Sequence, residues 1–120
     1  MKLAKVRTLF EELRTLTVER LDIAYLDECH NLLAMASFTD NSLDRAAPPL
    51  RALIGNALSM EATAMIIAHN HPSGIAKPSA NDCAFTRTLC RLGGALDIQL
   101  IDHLILAGPS QFSFREAGLL

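Results

Sequence analysis

The chain has no tryptophan, one tyrosine and five phenylalanines in 120 residues, so its core has to be filled mainly by aliphatic side chains. No apolar run is long enough to span a bilayer, and no membrane association is expected. The charged opening Met1-Lys2-Leu3-Ala4-Lys5-Val6-Arg7 lacks the uninterrupted apolar core of a signal peptide, which predicts a cytoplasmic protein. Excess positive charge is missing too. Eleven Lys and Arg are scattered among thirteen Asp and Glu without a basic block, for a net charge of −2. Because phosphate neutralisation supplies most nucleic-acid affinity, strong DNA binding by this domain alone is disfavoured. Cysteine is sparse. Cys29, Cys83 and Cys90 are odd in number and show no C-x-x-C spacing, so they frame neither a disulfide scaffold nor a cysteine zinc site. They read as reduced, small apolar side chains, with Cys83 and Cys90 on one helix face.

What is present is ordinary globular material: half the residues are apolar, a fifth are charged, and the length suits one core. Leu3, Val6, Leu9, Phe10, Leu13 and Leu16 recur at helical spacing and predict an amphipathic helix within residues 1–19, packed on a domain spanning 20–120. Leu21–Leu26 and Leu32–Phe38, separated by Asp27-Glu28-Cys29-His30-Asn31, read as an antiparallel hairpin with His30 a solvated loop residue. Pro48-Pro49 suits a helix entry, and Leu50, Leu53, Ile54, Ala57 and Leu58 follow at helical spacing. Thr63–Ala68 is a continuous apolar run, as in a central strand covered on both faces, and it ends at His69. From Ser79 a second helix is predicted, with Phe85, Leu89, Leu92 and Leu96 on one face and Gly93-Gly94 as its stop. Ile98–Ala107 is a strand, Gly108–Gln111 a turn and Phe112–Phe114 a last short strand. Met35, Met60 and Met65 read as core fillers. The order α-β-β-α-β-α-β-β predicts an α/β fold with a mixed sheet and helices packed against it.

The chemistry gathers in Ala68-His69-Asn70-His71-Pro72-Ser73-Gly74 and the following Pro78-Ser79-Ala80-Asn81-Asp82. Side chains two apart on a strand point the same way, so His69 and His71 can address one point near the strand's end. Neutral imidazole is a favoured zinc ligand, and a catalytic zinc site commonly has three protein ligands. Asp82, carried back by the Pro/Gly loop, can supply the third. Taken alone, each half has a plainer reading: Ser79-x-x-Asp82 is also a helix-start signal, and paired histidines also serve as polar strand-end residues.

The joined string His69-x-His71-Pro72-x6-Ser79-x2-Asp82 resembles the JAMM signature of JAB/MPN-domain metalloproteases. His-Asn-His-Pro-Ser-Gly, the later Asp102-His103, Tyr25-Leu26-Asp27 and the closing Phe112-Ser113-Phe114-Arg115-Glu116-Ala117-Gly118 narrow the resemblance to the RadC-like JAB domain, over about Arg20 to Leu120. The resemblance implies a cytidine-deaminase-like three-layer α/β/α fold. It implies zinc held by His69, His71 and Asp82, Ser79 supporting the reacting oxygen, and a peptide or isopeptide substrate. A homodimer stays open. The family's name implies a DNA-repair association, while its N-terminal helix-hairpin-helix region does not fit into residues 1–19. The zinc deaminases need H-x-E and a later P-C-x-x-C, which this chain lacks, so fold kinship does not bring their chemistry. The letters His69-Asn70-His71 also match the name of a nuclease motif whose residues are far apart in sequence, and that match is accidental.

One position departs from the pattern. Hydrolytic members of the family carry a glutamate on the second strand that moves a proton from the attacking water to the leaving amine, and the ungapped count places Ala36 there. Glu28, Asp40 and Glu61 do not stand in for it. The resemblance therefore implies a metallopeptidase-type site that is weak or inactive, or a non-catalytic metal-stabilised interaction module. Asp102 and His103 remain as supporting residues. Adjacent strand positions face opposite sides, so one of the two reaches the metal pocket, and an Asp102 carboxylate accepting from a ligand histidine would suit that role.

Overall fold

In this computed structural model, residues 8–39 and 49–120 are described. Leu3 and Val6 of the predicted first helix, and Asp40, lie outside them.

The polar turn closes the predicted hairpin, β1 (Arg20–Leu26) with β2 (Leu32–Thr39). Asp27 makes the turn by accepting the amides of Cys29 and Asn31 on Oδ1, both at 2.9 Å. Helix α1 (Leu50–Ser59) leads to β3 (Ala64–Asn70), and α2 (Ala80–Ala95) leads to β4 (Gln99–Ala107) and β5 (Ser110–Ser113). The sheet runs β2-β1-β3-β4-β5. β1 is antiparallel to both its neighbours, β3 and β4 are parallel, and β5 returns antiparallel. The mixed α/β architecture is therefore present, with β3 central and buried along its whole length.

The two faces of the sheet are packed differently. Ile23, Tyr25, Met65 and Ile67 meet Leu53 and Ala57 of α1 and Leu89 of α2 on one face. Tyr25 fastens that layer by donating its hydroxyl to the Leu53 carbonyl at 2.8 Å. On the other face, Ala24, Ile66, Ala68 and Leu104 are covered by Phe10 and Leu13. Among the described residues, Thr8 and Leu9 are α-helical and Glu11–Thr15 is a 3-10 helix, so the predicted α-helix does not run on as far as Leu16. Phe10, Leu13 and Leu16 are spaced by three, which a three-residue turn satisfies as well as an α-helix does. Arg14 holds the segment in place through the carbonyls of Gly108 and Ser110 and the side chain of Gln111, at 2.7, 2.9 and 3.0 Å.

Three further differences from the sequence reading have physical causes. Met35 is exposed, because β2 is an edge strand whose outer face nothing covers among the described residues; Met65 is in the core and Met60 packs at its border. The last hairpin loop is only Gly108-Pro109, with Gly108 at φ +55° in the first loop position, so β5 begins at Ser110. The three cysteines are free, as the sequence implies, with Cys29 and Cys90 exposed and Cys83 half-buried. Helix α2 ends at Ala95, one residue past Gly93-Gly94, but it buries Thr86, Leu89 and Gly93, leaving Leu92 and Leu96 exposed. Gly93 sets this rotation: its carbonyl accepts the Ile98 amide at 2.7 Å, and a methyl group there would collide with the Ile98 carbonyl oxygen. Asp82 and Thr86 lie on the same inward stripe.

A bulge interrupts the β3–β4 ladder. Met65 pairs with Leu100, but Ile66 pairs with Asp102 and Ile67 with His103, so Ile101 is the extra residue.

Candidate metal centre

His69 is the sixth residue of β3, not the residue after its end, and His71 follows the strand immediately. The chain then turns at Pro72-Ser73-Gly74, where Gly74 has φ +86° and donates its amide to the His71 carbonyl at 3.0 Å. Ser79 caps α2 by accepting the Asp82 amide on Oγ at 3.0 Å, while Asp82 Oδ2 accepts the Ser79 amide at 2.9 Å. The helix-start reading and the metal reading of these residues are thus one arrangement. The capping box fixes the carboxylate and leaves Oδ1 facing His69. Accepting a bond also leaves the Ser79 hydroxyl its own proton to donate.

His69, His71 and Asp82 converge, with ligand atoms all within 4.8 Å of one another. His69 Nε2 lies 2.9 Å from His71 Nε2 and 3.4 Å from Asp82 Oδ1, and His71 Nε2 lies 3.2 Å from Asp82 Oδ2. Zinc bonds of about 2.0–2.1 Å at tetrahedral angles place neighbouring donors about 3.3 Å apart. The donor set therefore fits a tetrahedral zinc ion. His71 Nδ1 donates to the Ile75 carbonyl at 3.0 Å, an oxygen that can only accept, which leaves Nε2 as the nitrogen free to offer a lone pair to a metal.

Burial penalises the Asp82 carboxylate, but the His69 ring beside it and the amide and side chain of Ser79 outweigh that penalty. The carboxyl is held well below the usual carboxylate range. Burial, reinforced by His69 and His71, pushes the His103 imidazole well below its ordinary value against the pull of Asp82. That ring is neutral at pH 7.

A cleft of about 690 Å³ opens beside the group. His69, His71, Ser79 and Asp82 form one part of its lining, and Leu21, Phe38, Leu50 and Phe85 give it an apolar wall. Phe38 pairs with Leu21, which pairs with His69, so these three lie in one row across the sheet. Ala36 shares their face but pairs with Ile23 in the next row, half-buried against the core and outside the cleft's lining. Among the described residues no carboxylate shares Ala36's row, but Glu19 lines the cleft itself. Glu28 and Glu61 are exposed, in the β1–β2 turn and between α1 and β3.

Of the Asp102-His103 pair, His103 faces the site. Its Nε2 is 2.7 Å from His69 Nδ1, and its ring stacks on Phe114 at 4.5 Å and 5°. Asp102 faces away. It accepts the Ser113 hydroxyl at 2.6 Å and the Arg115 amide at 3.0 Å, so the support suggested for it at a ligand histidine comes from the imidazole next door. Thr86, which the sequence reading missed, places Oγ1 2.6 Å from His103 Nδ1. Its signal was there: it is four residues after Asp82, hence on the same helix face.

The neutral burial of His103 has a pH consequence. The unfolded histidine binds a proton below about pH 6.5 and the folded one does not, so stability is complete above about 6.5 and is lost as pH falls towards the folded value, by at most about 1.4 kcal/mol per unit. Asp82 acts lower, its contribution present above about pH 3.9 and lost below it. Thermal melts of the metal-free protein should show Tm falling from about pH 7.5 to about 5, with a flatter profile in His103→Gln. Identical profiles would contradict the shift.

A strand-end group of two histidines and an aspartate on a mixed α/β sheet defines the class: an α/β domain with a pre-formed candidate metal site. The chain belongs to the RadC-like JAB domain family, which it matches over residues 2–119; its mixed five-stranded sheet is compatible with the JAB/MPN fold. It is 42% identical over 94 residues to a UPF0758 protein of Paraburkholderia xenovorans, covering 78% of this chain and 37% of that one. It is 43% identical over 103 residues to a UPF0758 protein of Bordetella avium, covering 86% and 46%. A third, from Thioalkalivibrio sulfidiphilus, is 39% identical over 114 residues, covering 95% and 51%. The chain thus spans about half or less of the length of these relatives. Among its described residues, no helix is long and apolar enough to cross a membrane.

Proposed function

We propose that His69, His71 and Asp82 bind a zinc ion and that the domain is of metallopeptidase type, with hydrolysis slowed or lost because Ala36 cannot carry a proton. The observation that supports metal binding is the chemistry of the donor set. A ring nitrogen from each histidine and the Asp82 carboxylate converge on one place, with Nε2 to Nε2 at 2.9 Å, His69 to Oδ1 at 3.4 Å and His71 to Oδ2 at 3.2 Å. Like-facing acceptors repel unless a cation sits among them.

A zinc ion held there supplies Lewis-acid polarisation of a carbonyl and acidifies water towards a pKa of about 7. The chain's own residues do the rest. The capping box holds the Asp82 carboxylate in register with the two rings. Ser79 keeps a hydroxyl proton to donate to an oxygen of a bound peptide, and the wall of Leu21, Phe38 and Phe85 shields one side from water. Nothing at position 36 passes a proton to a leaving amine. That same gap favours a second reading, a metal-stabilised interaction module without turnover.

Calorimetric titration with Zn²⁺, after chelator treatment, tests the proposal. Wild type is expected to bind one ion and His69→Ala none; a wild type that takes up no zinc overturns it.

A further inference from the structure

We propose that Thr86 and His103 are positioning residues that decide which nitrogen of His69 carries its proton, keeping bare the one that faces the metal. The proposal rests on the zinc-binding reading above and adds to it a determinant of ligand state.

A run of hydrogen bonds from Thr86 through His103 to His69 fixes the position of each proton in turn. Thr86 Oγ1 lies 2.7 Å from the backbone carbonyl of Asp82, four residues earlier in α2. A carbonyl only accepts, so the single hydroxyl proton of Thr86 points at it. Towards His103 the same oxygen must then accept, and at 2.6 Å its partner Nδ1 has to carry the proton. His103 is 1% exposed, stacked on Phe114 and hydrogen-bonded through its ring to Thr86 and His69, with no carboxylate bonded to that ring among the described residues to hold a second proton, and with its one proton on Nδ1 its Nε2 is bare. That Nε2 accepts across 2.7 Å from His69 Nδ1, which must therefore be the protonated nitrogen of His69. His69 Nε2 is left with its lone pair aimed at His71 and Asp82.

The chain of bonds begins at the main chain of one ligand, Asp82, and ends on the ring of another, His69. It does for His69 what the Ile75 carbonyl does directly for His71. Without the Thr86 hydroxyl, His103 can move its proton to Nε2 and donate to His69 Nδ1. The His69 proton then occupies Nε2, the position a metal needs. Zinc must displace that form before binding, and loss of an outer hydrogen-bond partner of a ligand histidine typically weakens metal affinity about 10–100-fold. Valine matches threonine closely in shape, so Thr86→Val removes the hydroxyl with little change of packing at this buried position.

Two measurements test the proposal. Imidazole ¹⁵N spectra of the metal-free wild type, at a pH where the rings are neutral, should show His69 and His103 both protonated on Nδ1. Calorimetry with Zn²⁺ should show affinity reduced about 10–100-fold in Thr86→Val and restored in Thr86→Ser. A His69 proton on Nε2 in the wild type overturns the proposal without any variant being needed. Equal zinc affinity in wild type and Thr86→Val overturns it while leaving the metal site standing. A wild type that binds no zinc removes both.

Discussion

Ala36→Glu is expected to raise zinc-dependent cleavage of a peptide or isopeptide substrate by about 10²–10⁴-fold, the usual contribution of a positioned general acid/base. Amide hydrolysis depends on protonating a poor leaving group, and alanine at position 36 cannot carry that proton. Position 36 is suited to the change. It faces the side of the sheet that carries His69, and it lies one row further along β2 from Phe38. Two strand spacings and two residues put it about 12 Å from His69 between α-carbons, a gap that a glutamate from one side and an imidazole from the other can close around a substrate. As β2 is an edge strand and Ala36 only half-buried, the added atoms need not enter the core. Steady-state assays of wild type and Ala36→Glu, each with and without chelator, give the answer. Robust zinc-dependent turnover by the wild type would sink the assignment of Ala36 as the missing group.

Gly93→Ala is expected to destabilise the fold by about 1–3 kcal/mol, as overpacking of a close contact does, and by more if the backbone cannot shift. The added methyl would meet the Ile98 carbonyl oxygen, a backbone atom that cannot swing aside, with Met65 Cε already 3.4 Å away. Gly94 is the internal control. Nothing lies within 4 Å of its missing Cβ, so Gly94→Ala, in the same helix, should be neutral or stabilising by about 0.4–1 kcal/mol. Urea unfolding of the two variants measures the difference directly; equal midpoints would show that the α2–β4 approach is looser than its hydrogen bond suggests.

These glycines also show where the sequence stops being informative. Local signals are legible: the Asp27 turn, the spacing in α1, the apolar run of β3 and the Ser79/Asp82 capping box depend on residues within a few positions of each other. His69, His71 and Asp82 are found the same way, since a strand of known parity, a sharp turn and a helix start leave few places for their side chains. Tertiary contacts are not legible. Gly93-Gly94 looks like a stop because glycine costs helix propensity, and only the Ile98 carbonyl explains why the helix keeps one of them inside. The apolar stripe Phe85-Leu89-Leu92-Leu96 is the obvious buried face of α2. The helix is nevertheless turned towards Asp82-Thr86-Leu89-Gly93, where the polar residues find partners and the glycine permits contact. Thr86 was missed because a threonine inside a predicted helix carries no mark of what it touches.

The bulge at Ile101 has a chemical meaning. Regular pairing onward from Met65 and Leu100 would have set Asp102 beside Ile67 and handed His69 a carboxylate as its neighbour. A charged neighbour binds a ligand's proton firmly and adds negative charge to the centre, whereas a neutral ring passes on only an orientation. One inserted residue, far from any ligand in sequence, thus trades an anion for a dipole beside the metal site and sends the spare carboxylate through the sheet to tie down the chain's last turn.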